Sequence, residues 1–274
     1  MTPMLRIRFQ VNETKPRARS AFAALAAEAV RHGLALAEGN AAADVVIALG
    51  GDGTILRAVR RFPDVPVLGF NLGGLGYLSA VGESEFGRAL EMLAAGRYRI
   101  SERSMLAVRK SGSDSPRATA LNDVVVQRAM SGHSSRFDLA VDGSLAARYM
   151  ADGLIFATPT GSTAYSLAAG GPVVMPDSRS FVVTPMNPHA LGVRPMVTTD
   201  AVRFTVTACS RADGSAERVG VYADGEDVFT LDVGGSLEIE RAPRGAALVE
   251  LDGYDPYEVL ARKLGWSGTS VKQP

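Results

Sequence analysis

The feature that most constrains the fold is a short, largely apolar run, Asp44–Leu49, which a glycine-rich turn and an amphipathic helical pattern follow at once. An apolar run without alternation is typical of a strand that is buried on both faces of a parallel sheet. Similar strand and helix patterns alternate through the first hundred residues. We therefore expect an α/β domain with a parallel sheet over residues 1–100.

The pattern changes from about Ser101, where short runs rich in β-branched residues are separated by turn dipeptides. Ala246–Leu251 is the last of these runs. Asp142–Gly143 and Asp224–Gly225 are typical hairpin turns, since glycine tolerates the positive φ that such turns need. We therefore expect a β-rich second domain over residues 101–255.

The end of the chain returns to a helical pattern, which begins at Pro256 and places Val259 and Leu260 on one face. We expect this helix, residues 256–266, to pack on the first domain and complete it, with Trp266 as a packing anchor. The predicted architecture is thus a Rossmann-like α/β domain followed by a β-rich domain.

Composition and charge exclude several classes of function. The 29 basic and 29 acidic residues give a formal net charge of +0, so we expect no nucleic-acid partner. No apolar run approaches the roughly 20 residues that cross a membrane, and Arg6 and Arg8 stand where an export signal is apolar. The single cysteine, Cys209, excludes an internal disulfide and a multi-cysteine metal cage. We expect a cytoplasmic protein with no membrane partner.

The turn Gly50–Thr54, with the sequence GGDGT, carries the sharpest chemical signal. Glycines let the backbone approach a ligand closely, and the N-terminus of the following helix offers free amides to a phosphate. A carboxylate at Asp52 is unfavourable beside a polyphosphate unless it orients a hydroxyl, binds a metal or accepts a proton. The alternative is that Asp52 only caps the helix. The turn matches neither the P-loop pattern nor the usual dinucleotide-binding spacing.

A second glycine-rich loop, Asn71–Tyr77, follows the next predicted strand. Because the carboxyl ends of parallel strands meet at one edge of a sheet, the two loops would line one crevice. The alternative is a flexible connection with no ligand.

Two further groups of polar residues stand in the β-rich half. Thr158–Ser166 is a hydroxyl-rich helix start, in which Tyr165 offers an aromatic face to a flat base, although the hydroxyls could be N-caps and no more. Asn122–Asp123 and Asp152–Gly153 each open a predicted strand. Their amide and carboxylate groups could grip ribose hydroxyls, or each pair could form an Asx turn.

Together these motifs resemble those of the NAD kinases. Gly50–Thr54, Asn122–Asp123 and Thr158–Pro172 match the family's motifs in order and spacing, and Pro185–His189 is similar to its proline–histidine segment. The resemblance covers roughly residues 44–266. It implies transfer of the γ-phosphate of ATP, or of a phosphate from polyphosphate, to the 2′-hydroxyl of the adenosine ribose of NAD, which gives NADP.

The resemblance also implies roles for particular residues. Asp52 would be the proton acceptor, with Gly53 beside it at the phosphates. Asn122 and Asp123 would hold the ribose on the nicotinamide side, and Asp152 would contact the nicotinamide region. The adenosine would be held by Thr163, Ala164, Tyr165, Ser166, Leu167 and Ala168.

Some positions stay open. Arg57 either steadies the nucleotide phosphates or belongs to a solvated helix face. Met150 stands where some family members have Arg, and Glu226 stands where Gln is frequent. His189 is either structural or in contact with a ligand.

The resemblance further implies a divalent cation, Mg²⁺ delivered with ATP, and a homodimer or homotetramer. Residue spacing suggests no dedicated metal cage. Two alternatives remain. A lipid kinase would explain the GGDGT turn but not Thr158–Ser166, and a silent NAD-binding regulator would keep Asp52 without using it.

Overall fold

The structure is a computed structural model, and it describes residues 4–13, 15–39, 41–73, 76–79, 81–112, 118–129, 134–210 and 218–266. The chain forms two units, which are Met1–Glu102 with Ala246–Pro274, and Arg103–Gly245. Within the described ranges, no helix has the length and apolar character needed to cross a membrane.

The secondary structure follows the two sequence patterns, with strands and helices alternating first and mainly strands afterwards. The chain begins with β1 (Arg6–Val11), α1 (Pro16–Arg31), β2 (Ala35–Leu36), β3 (Val45–Leu49), α2 (Asp52–Arg61), β4 (Val67–Asn71), β5 (Val81–Gly82), a 3₁₀ turn (Glu83–Glu85), α3 (Phe86–Ala94) and β6 (Tyr98–Arg103). It continues with β7 (Leu106–Lys110), β8 (Ala118–Ala120), β9 (Asp123–Arg128), β10 (Ser135–Val141), β11 (Ser144–Ala151), β12 (Gly153–Ala157), a 3₁₀ turn (Thr160–Thr163), α4 (Tyr165–Ala168), β13 (Ser180–Met186), β14 (Met196–Thr199), β15 (Phe204–Cys209), β16 (Val219–Ala223), β17 (Glu226–Leu231) and β18 (Ser236–Arg241). It ends with β19 (Ala246–Leu251) and α5 (Pro256–Leu264).

The first unit is built on one sheet with the order β2-β1-β3-β4-β19-β6, and β5 also pairs with β4. The pairs β1–β2, β1–β3, β3–β4, β4–β5 and β4–β19 are parallel. All five residues of β3 are buried, as the apolar run predicts. Phe70 of β4 stacks on Phe86 of α3, with ring centroids 4.5 Å apart. The expected α/β domain with parallel strands is confirmed.

The strand Ala246–Leu251 does not lie where we expected it. We assigned it to the β-rich domain, and that assignment is wrong, because β19 pairs in parallel with β4 through Leu248 and Val67. Leu248 and Val249 are both buried there. The sequence of β19 resembles those of the strands before it. We could not assign it to the correct sheet, because the local pattern of a strand does not show which sheet it joins. The second unit therefore ends at Gly245 and not at residue 255.

The C-terminal helix belongs to the first unit, as expected. The side chain of Asp255 accepts hydrogen bonds from the amides of Tyr257 and Glu258 at its start, and Gly265 ends it with a φ of 67°. Val259 and Leu260 are buried. Trp266, in contrast, is 62% exposed, so the expectation that it anchors the helix is wrong.

The second unit contains two six-stranded antiparallel sheets, with the orders β11-β10-β15-β18-β7-β8 and β14-β13-β12-β9-β16-β17. Large buried side chains of both sheets form one core, including Phe137, Phe156, Phe181 and Phe204. The predicted turns are confirmed, since Asp142 and Asp224 both have a φ of 49° and each precedes a glycine with positive φ.

The second of these sheets is buried on both faces at its centre. In β12, Leu154 and Phe156 point into the core between the sheets, whereas Ile155 belongs to a smaller cluster on the outer face. Ala169 and Val174, from the segment after β12, pack on that cluster. The hydroxyl-rich segment is therefore held against the outer face of this sheet.

Candidate active site

The carboxylate of Asp52 lies among donors from the second glycine-rich loop. The amide of Tyr77 donates to Oδ2 at 2.9 Å. The amides of Leu78 and Ser79 donate to Oδ1 at 3.3 and 3.2 Å, and the hydroxyl of Ser79 donates to Oδ1 at 3.0 Å. We call residues Tyr77–Ser79 the Asp52 cradle. The two predicted loops therefore meet at one sheet edge, although Gly74 and Leu75 lie outside the described residues.

The capping alternative for Asp52 is wrong. Gly51 occupies the N-cap position of α2, and Asp52 is the first residue of the helix. Its carboxylate accepts from residues 25 to 27 positions later in the chain. The side chain thus ties the first loop to the second.

Ser79 is a residue that the sequence analysis missed, because it lies after the glycine-rich stretch and belongs to no recognised motif. It is fully buried, at 0% exposure. Its hydroxyl accepts hydrogen bonds from the side-chain amide of Asn71 at 2.9 Å and from the backbone amide of Gly76 at 3.1 Å. The hydroxyl that donates to Asp52 is therefore itself held by two donors.

Gly76 is required by the close approach of this loop to Asp52. A Cβ atom at this position would lie 1.9 Å from Asp52 Oδ1 and 2.2 Å from the hydroxyl oxygen of Ser79. Beside it, burial and the negative charge of Asp52 raise the pKa of Tyr77. The ammonium of Lys263, on α5, lies 5.6 Å from the centroid of the Tyr77 ring.

The remaining predicted residues of α2 differ in exposure. Gly53 and Arg57 are exposed, so both are accessible to a ligand from solvent. Thr54 is buried, and its hydroxyl has no hydrogen-bond partner among the described residues. The first turn of α2 thus combines an open backbone with a buried, unpaired hydroxyl.

In the second unit, Asp224 holds the Asn122–Asp123 pair in place. Its carboxylate accepts hydrogen bonds from the amides of Leu121, Asn122 and Asp123 at 2.9, 2.7 and 3.3 Å. We call this arrangement the Asp224 clamp. In the sequence, Asp224 is recognisable only as a turn residue, because its partners lie about a hundred residues earlier.

Asp123 is a buried carboxyl group beside a second one. Burial and the charge of Asp224 raise the pKa of Asp123 to about 7, while a hydrogen bond from the backbone of Tyr165 acts in the opposite direction. This hydrogen bond brings two of the predicted site segments together.

Thr158 links the same two segments. Its hydroxyl donates to the carbonyl of Leu121 at 2.6 Å and accepts from the amide of Gly161 at 3.0 Å, and its own amide donates to the carbonyl of Asn122 at 2.9 Å. A Cβ atom at Gly161 would lie 1.9 Å from the carbonyl oxygen of Asn122. The glycine is therefore needed for the two segments to approach.

The predicted adenosine-binding segment, Thr163–Ala168, uses its hydroxyls internally. Thr163 donates to the carbonyl of Thr160 at 3.2 Å. Ser166 is fully buried, and its hydroxyl is bonded to that of Thr184 at 2.8 Å. Tyr165 is 43% exposed, Ala168 is exposed, and Ala164 and Leu167 are half-buried. The exposed aromatic ring is thus the side chain of this segment most open to a ligand.

Asp152 lies apart from the other predicted residues. It precedes β12, in which Gly153 pairs with Gln127 and Ala157 pairs with Asp123. Five residues of strand therefore separate it from Asp123, a distance of roughly 16 Å. Its carboxylate is held by Arg128 at 3.3 Å and Asn187 at 3.0 Å.

The other three open positions, Met150, His189 and Glu226, are on the surface of the second unit. Met150 is 46% exposed, and its carbonyl accepts a hydrogen bond from the amide of His189 at 2.9 Å. The imidazole Nε2 of His189 is bonded to the hydroxyl of Ser134. Glu226 is exposed at the start of β17.

Across the residues that the structure describes, no group of three or more His, Cys, Asp or Glu side chains has a geometry suited to a metal ion. Single carboxylates such as Asp52 remain compatible with Mg²⁺, which is commonly held by one or two carboxylates and by substrate phosphates.

Comparison with known proteins identifies the family. A model of the ATP-NAD kinase N-terminal domain matches residues 8–98, and a model of the ATP-NAD kinase C-terminal domain matches residues 121–251. The chain belongs to the NAD kinase family. It is therefore a kinase, a phosphotransferase, as the motifs predict.

Individual relatives agree with this assignment. The chain is 44% identical to an NAD kinase of Symbiobacterium thermophilum, over 87% of this chain and 84% of that protein. It is 41% identical to an NAD kinase of Gemmatimonas aurantiaca, over 83% of this chain and 79% of that protein.

Solved structures share the fold. A yeast NADH kinase, crystallised with NADH, superposes with a TM-score of 0.87 at 25% identity, over 100% of this chain and 91% of that one. An NAD kinase from Archaeoglobus fulgidus, in complex with ATP, superposes with a TM-score of 0.77 at 24% identity, over 97% of this chain and 100% of that one.

Proposed function

We propose that this kinase transfers the γ-phosphate of ATP to the 2′-hydroxyl of the adenosine ribose of NAD, with Asp52 as the proton acceptor. The observation that carries the proposal is the Asp52 cradle, which holds a carboxylate in one orientation at the start of a helix. The relatives named as NAD kinases support the choice of substrate.

The proposed chemistry depends mainly on positioning. Phosphoryl transfer has a loose transition state, so the protein orients the groups and neutralises charge. Holding the hydroxyl in line with the γ-phosphorus contributes roughly 7–11 kcal/mol in favourable systems. A general base such as Asp52 typically adds about 10²- to 10⁴-fold. The exposed backbone at Gly53 and the cation of Arg57 would meet the phosphates at the start of α2.

The residues of the second unit would bind the dinucleotide. Asn122 and Asp123 would hold the ribose on the nicotinamide side, and the segment Thr163–Ala168 would hold the adenosine. The exposure of the Tyr165 ring supports a stacking role against adenine. Ser166 would act through the bond to Thr184 that shapes this segment.

A divalent cation, Mg²⁺, would arrive with ATP. When bound, it neutralises charge that develops on the phosphate oxygens. The phosphates of ATP would supply most of its ligands, at the turn where α2 begins.

The separation of Asp152 from Asp123 supports a homodimer or homotetramer. Since roughly 16 Å of strand lies between them, Asp152 would contact the nicotinamide of a dinucleotide held by a second copy. We also propose that the kinase acts in the cytoplasm.

One assay tests the proposal. The protein is incubated with ATP and Mg²⁺ and either NAD or a diacylglycerol, and NADP and phosphatidic acid are measured. We expect NADP only. Phosphorylation of the lipid would instead identify a lipid kinase. Binding of NAD without phosphorylation would identify a sensor.

A further inference from the structure

The hydrogen bonds to Asp52 are distributed unequally between its two oxygens. Oδ1 accepts three, from the amides of Leu78 and Ser79 and from the Ser79 hydroxyl. Oδ2 accepts one, from the amide of Tyr77. A carboxylate has about two lone-pair sites on each oxygen, so Oδ1 is saturated and Oδ2 can accept another hydrogen bond.

The strongest anchor of Oδ1 is the hydroxyl of Ser79, which makes the shortest of these three bonds at 3.0 Å. This hydroxyl cannot rotate freely, because the donors of Asn71 and Gly76 occupy its acceptor sites. With both acceptor sites filled, its proton is directed at Asp52. Ser79 is fully buried, so water from the solvent does not take the place of its hydroxyl at Oδ1.

We infer that Ser79 is a positioning residue for the reaction, which anchors Oδ1 of Asp52 and so presents Oδ2 as the oxygen that receives the proton. This inference rests on the proposed function of Asp52 as the base. In the step, the 2′-oxygen of the ribose forms a bond to the γ-phosphorus, and the hydroxyl proton passes to Oδ2. The bond from the γ-phosphorus to the oxygen shared with the β-phosphate breaks, and its electron pair leaves with ADP.

The inference predicts a defect in turnover and not in substrate binding. Without the Ser79 hydroxyl, only the three amides hold Asp52, so its carboxylate is less well fixed and Oδ2 meets the ribose hydroxyl at a poorer angle. Ser79→Ala should therefore lower kcat by roughly 10-fold and leave KM for NAD and ATP within about 2-fold. Ser79→Cys replaces the hydroxyl with a somewhat larger thiol that is a weak donor, so its kcat should fall between those of Ser79→Ala and the unmodified chain.

A matched control is Ser180→Ala. Ser180 is another buried serine whose hydroxyl is bonded to a neighbouring side chain, that of Ser178 at 2.7 Å, and it is not one of the donors described for Asp52. Its kcat should equal that of the unmodified chain. An equal loss of kcat in Ser180→Ala and Ser79→Ala would overturn the inference.

A double-mutant cycle shows whether Ser79 acts through Asp52. Ser79→Ala should lower kcat in the unmodified chain but cause no further loss in Asp52→Asn. An equal loss in both backgrounds, or a loss confined to KM, would contradict the inference.

The stability of the same four proteins is also measured by urea unfolding, which does not depend on enzyme activity. Non-additive changes in the free energy of unfolding support the Asp52–Ser79 contact, and additive changes overturn it. If the unmodified chain makes no NADP, the proposed function fails, while the unfolding cycle still decides whether Ser79 holds Asp52.

Discussion

The Asp52 cradle and the Asp224 clamp use the same bonding pattern in two different units. In each, one aspartate accepts hydrogen bonds from three consecutive backbone amides, those of residues 77–79 in the first unit and of residues 121–123 in the second. In the cradle, the bonds orient the aspartate itself. In the clamp, they fix the backbone that carries Asn122 and Asp123.

The difference between them lies in their neighbours. The cradle adds a hydroxyl donor, Ser79, which gives the carboxylate of Asp52 a fourth hydrogen bond. The clamp stands beside a second carboxyl group, Asp123, whose pKa is raised to about 7 by burial and by the charge of Asp224. Under the proposed function, a carboxylate held by three amides is the reacting group in the first unit and a support for other groups in the second.

The largest expected effect is a loss of turnover when Asp52 is replaced. Asp52→Asn should lower kcat by at least about 10²-fold, because the amide cannot accept the proton, while the fold is retained. Asp44→Asn is the control, since Asp44 lies in the same unit and its exposed side chain pairs with Arg6. Steady-state NADP formation and circular dichroism measure both. Near-normal turnover in Asp52→Asn would remove Asp52 from the role of base.

A smaller effect is expected when the clamp is broken. Asp224→Ala removes three hydrogen bonds that hold the proposed ribose site, so KM for NAD should rise roughly 10-fold with kcat changed by less than about 3-fold. The free energy of unfolding should fall by about 2 kcal/mol.

The control for the clamp is Asp142→Ala. Asp142 has the same φ of 49° in the same kind of turn. Its side chain, however, accepts a hydrogen bond from the backbone amide of Arg203 at 2.9 Å and not from three consecutive amides. If both variants raise KM equally, the turn and not the clamp is responsible.

The raised pKa of Asp123 predicts how stability depends on pH. The folded chain keeps the proton up to about pH 7, whereas the unfolded chain loses it near 3.8. The folded state therefore binds more protons in this window, and the contribution of Asp123 to stability falls as pH rises from about 4 to 7. Asp123→Asn removes this dependence. The free energy of unfolding of this variant, relative to that of the unmodified chain, should therefore rise between about pH 4 and 7 and level off above pH 7.

Urea unfolding at pH 5, 6, 7 and 8 measures this difference. Asp252→Asn, which changes an exposed carboxylate of the first unit, serves as the control. A difference that stays constant from pH 5 to 8 would show that Asp123 is ionised throughout.

The smallest effect concerns Lys263 of α5, whose ammonium lies beside the Tyr77 ring of the cradle. Lys263→Met removes the cation from the Tyr77 ring and should lower the free energy of unfolding by no more than about 1 kcal/mol, with kcat within about 3-fold. Arg262→Met is the control, because Arg262 pairs with Glu258 on the helix surface. A larger loss of kcat for Lys263→Met would mean that α5 helps to hold the cradle.

Much of the fold could be predicted from local patterns. The buried run of β3, the Asp–Gly hairpin turns and the start of α5 at Pro256 are all decided by residues close together in the chain. The placement of β19 could not be predicted, since its partner Val67 lies far away in sequence. The exposure of Trp266 could not be predicted either, because it depends on what packs around the helix end.

The local sequence was enough to identify the candidate site segments, since glycine-rich turns, hydroxyl runs and strand-opening aspartates are recognisable from neighbouring residues. The hydrogen-bond partners of their side chains, in contrast, depend on the tertiary structure. The partners of Asp52 lie 25 to 27 residues away, and those of Asp224 lie 101 to 103 residues away. A hydrogen bond depends on distance and angle in space, and only the folded sheets bring these donors and acceptors within 3.3 Å.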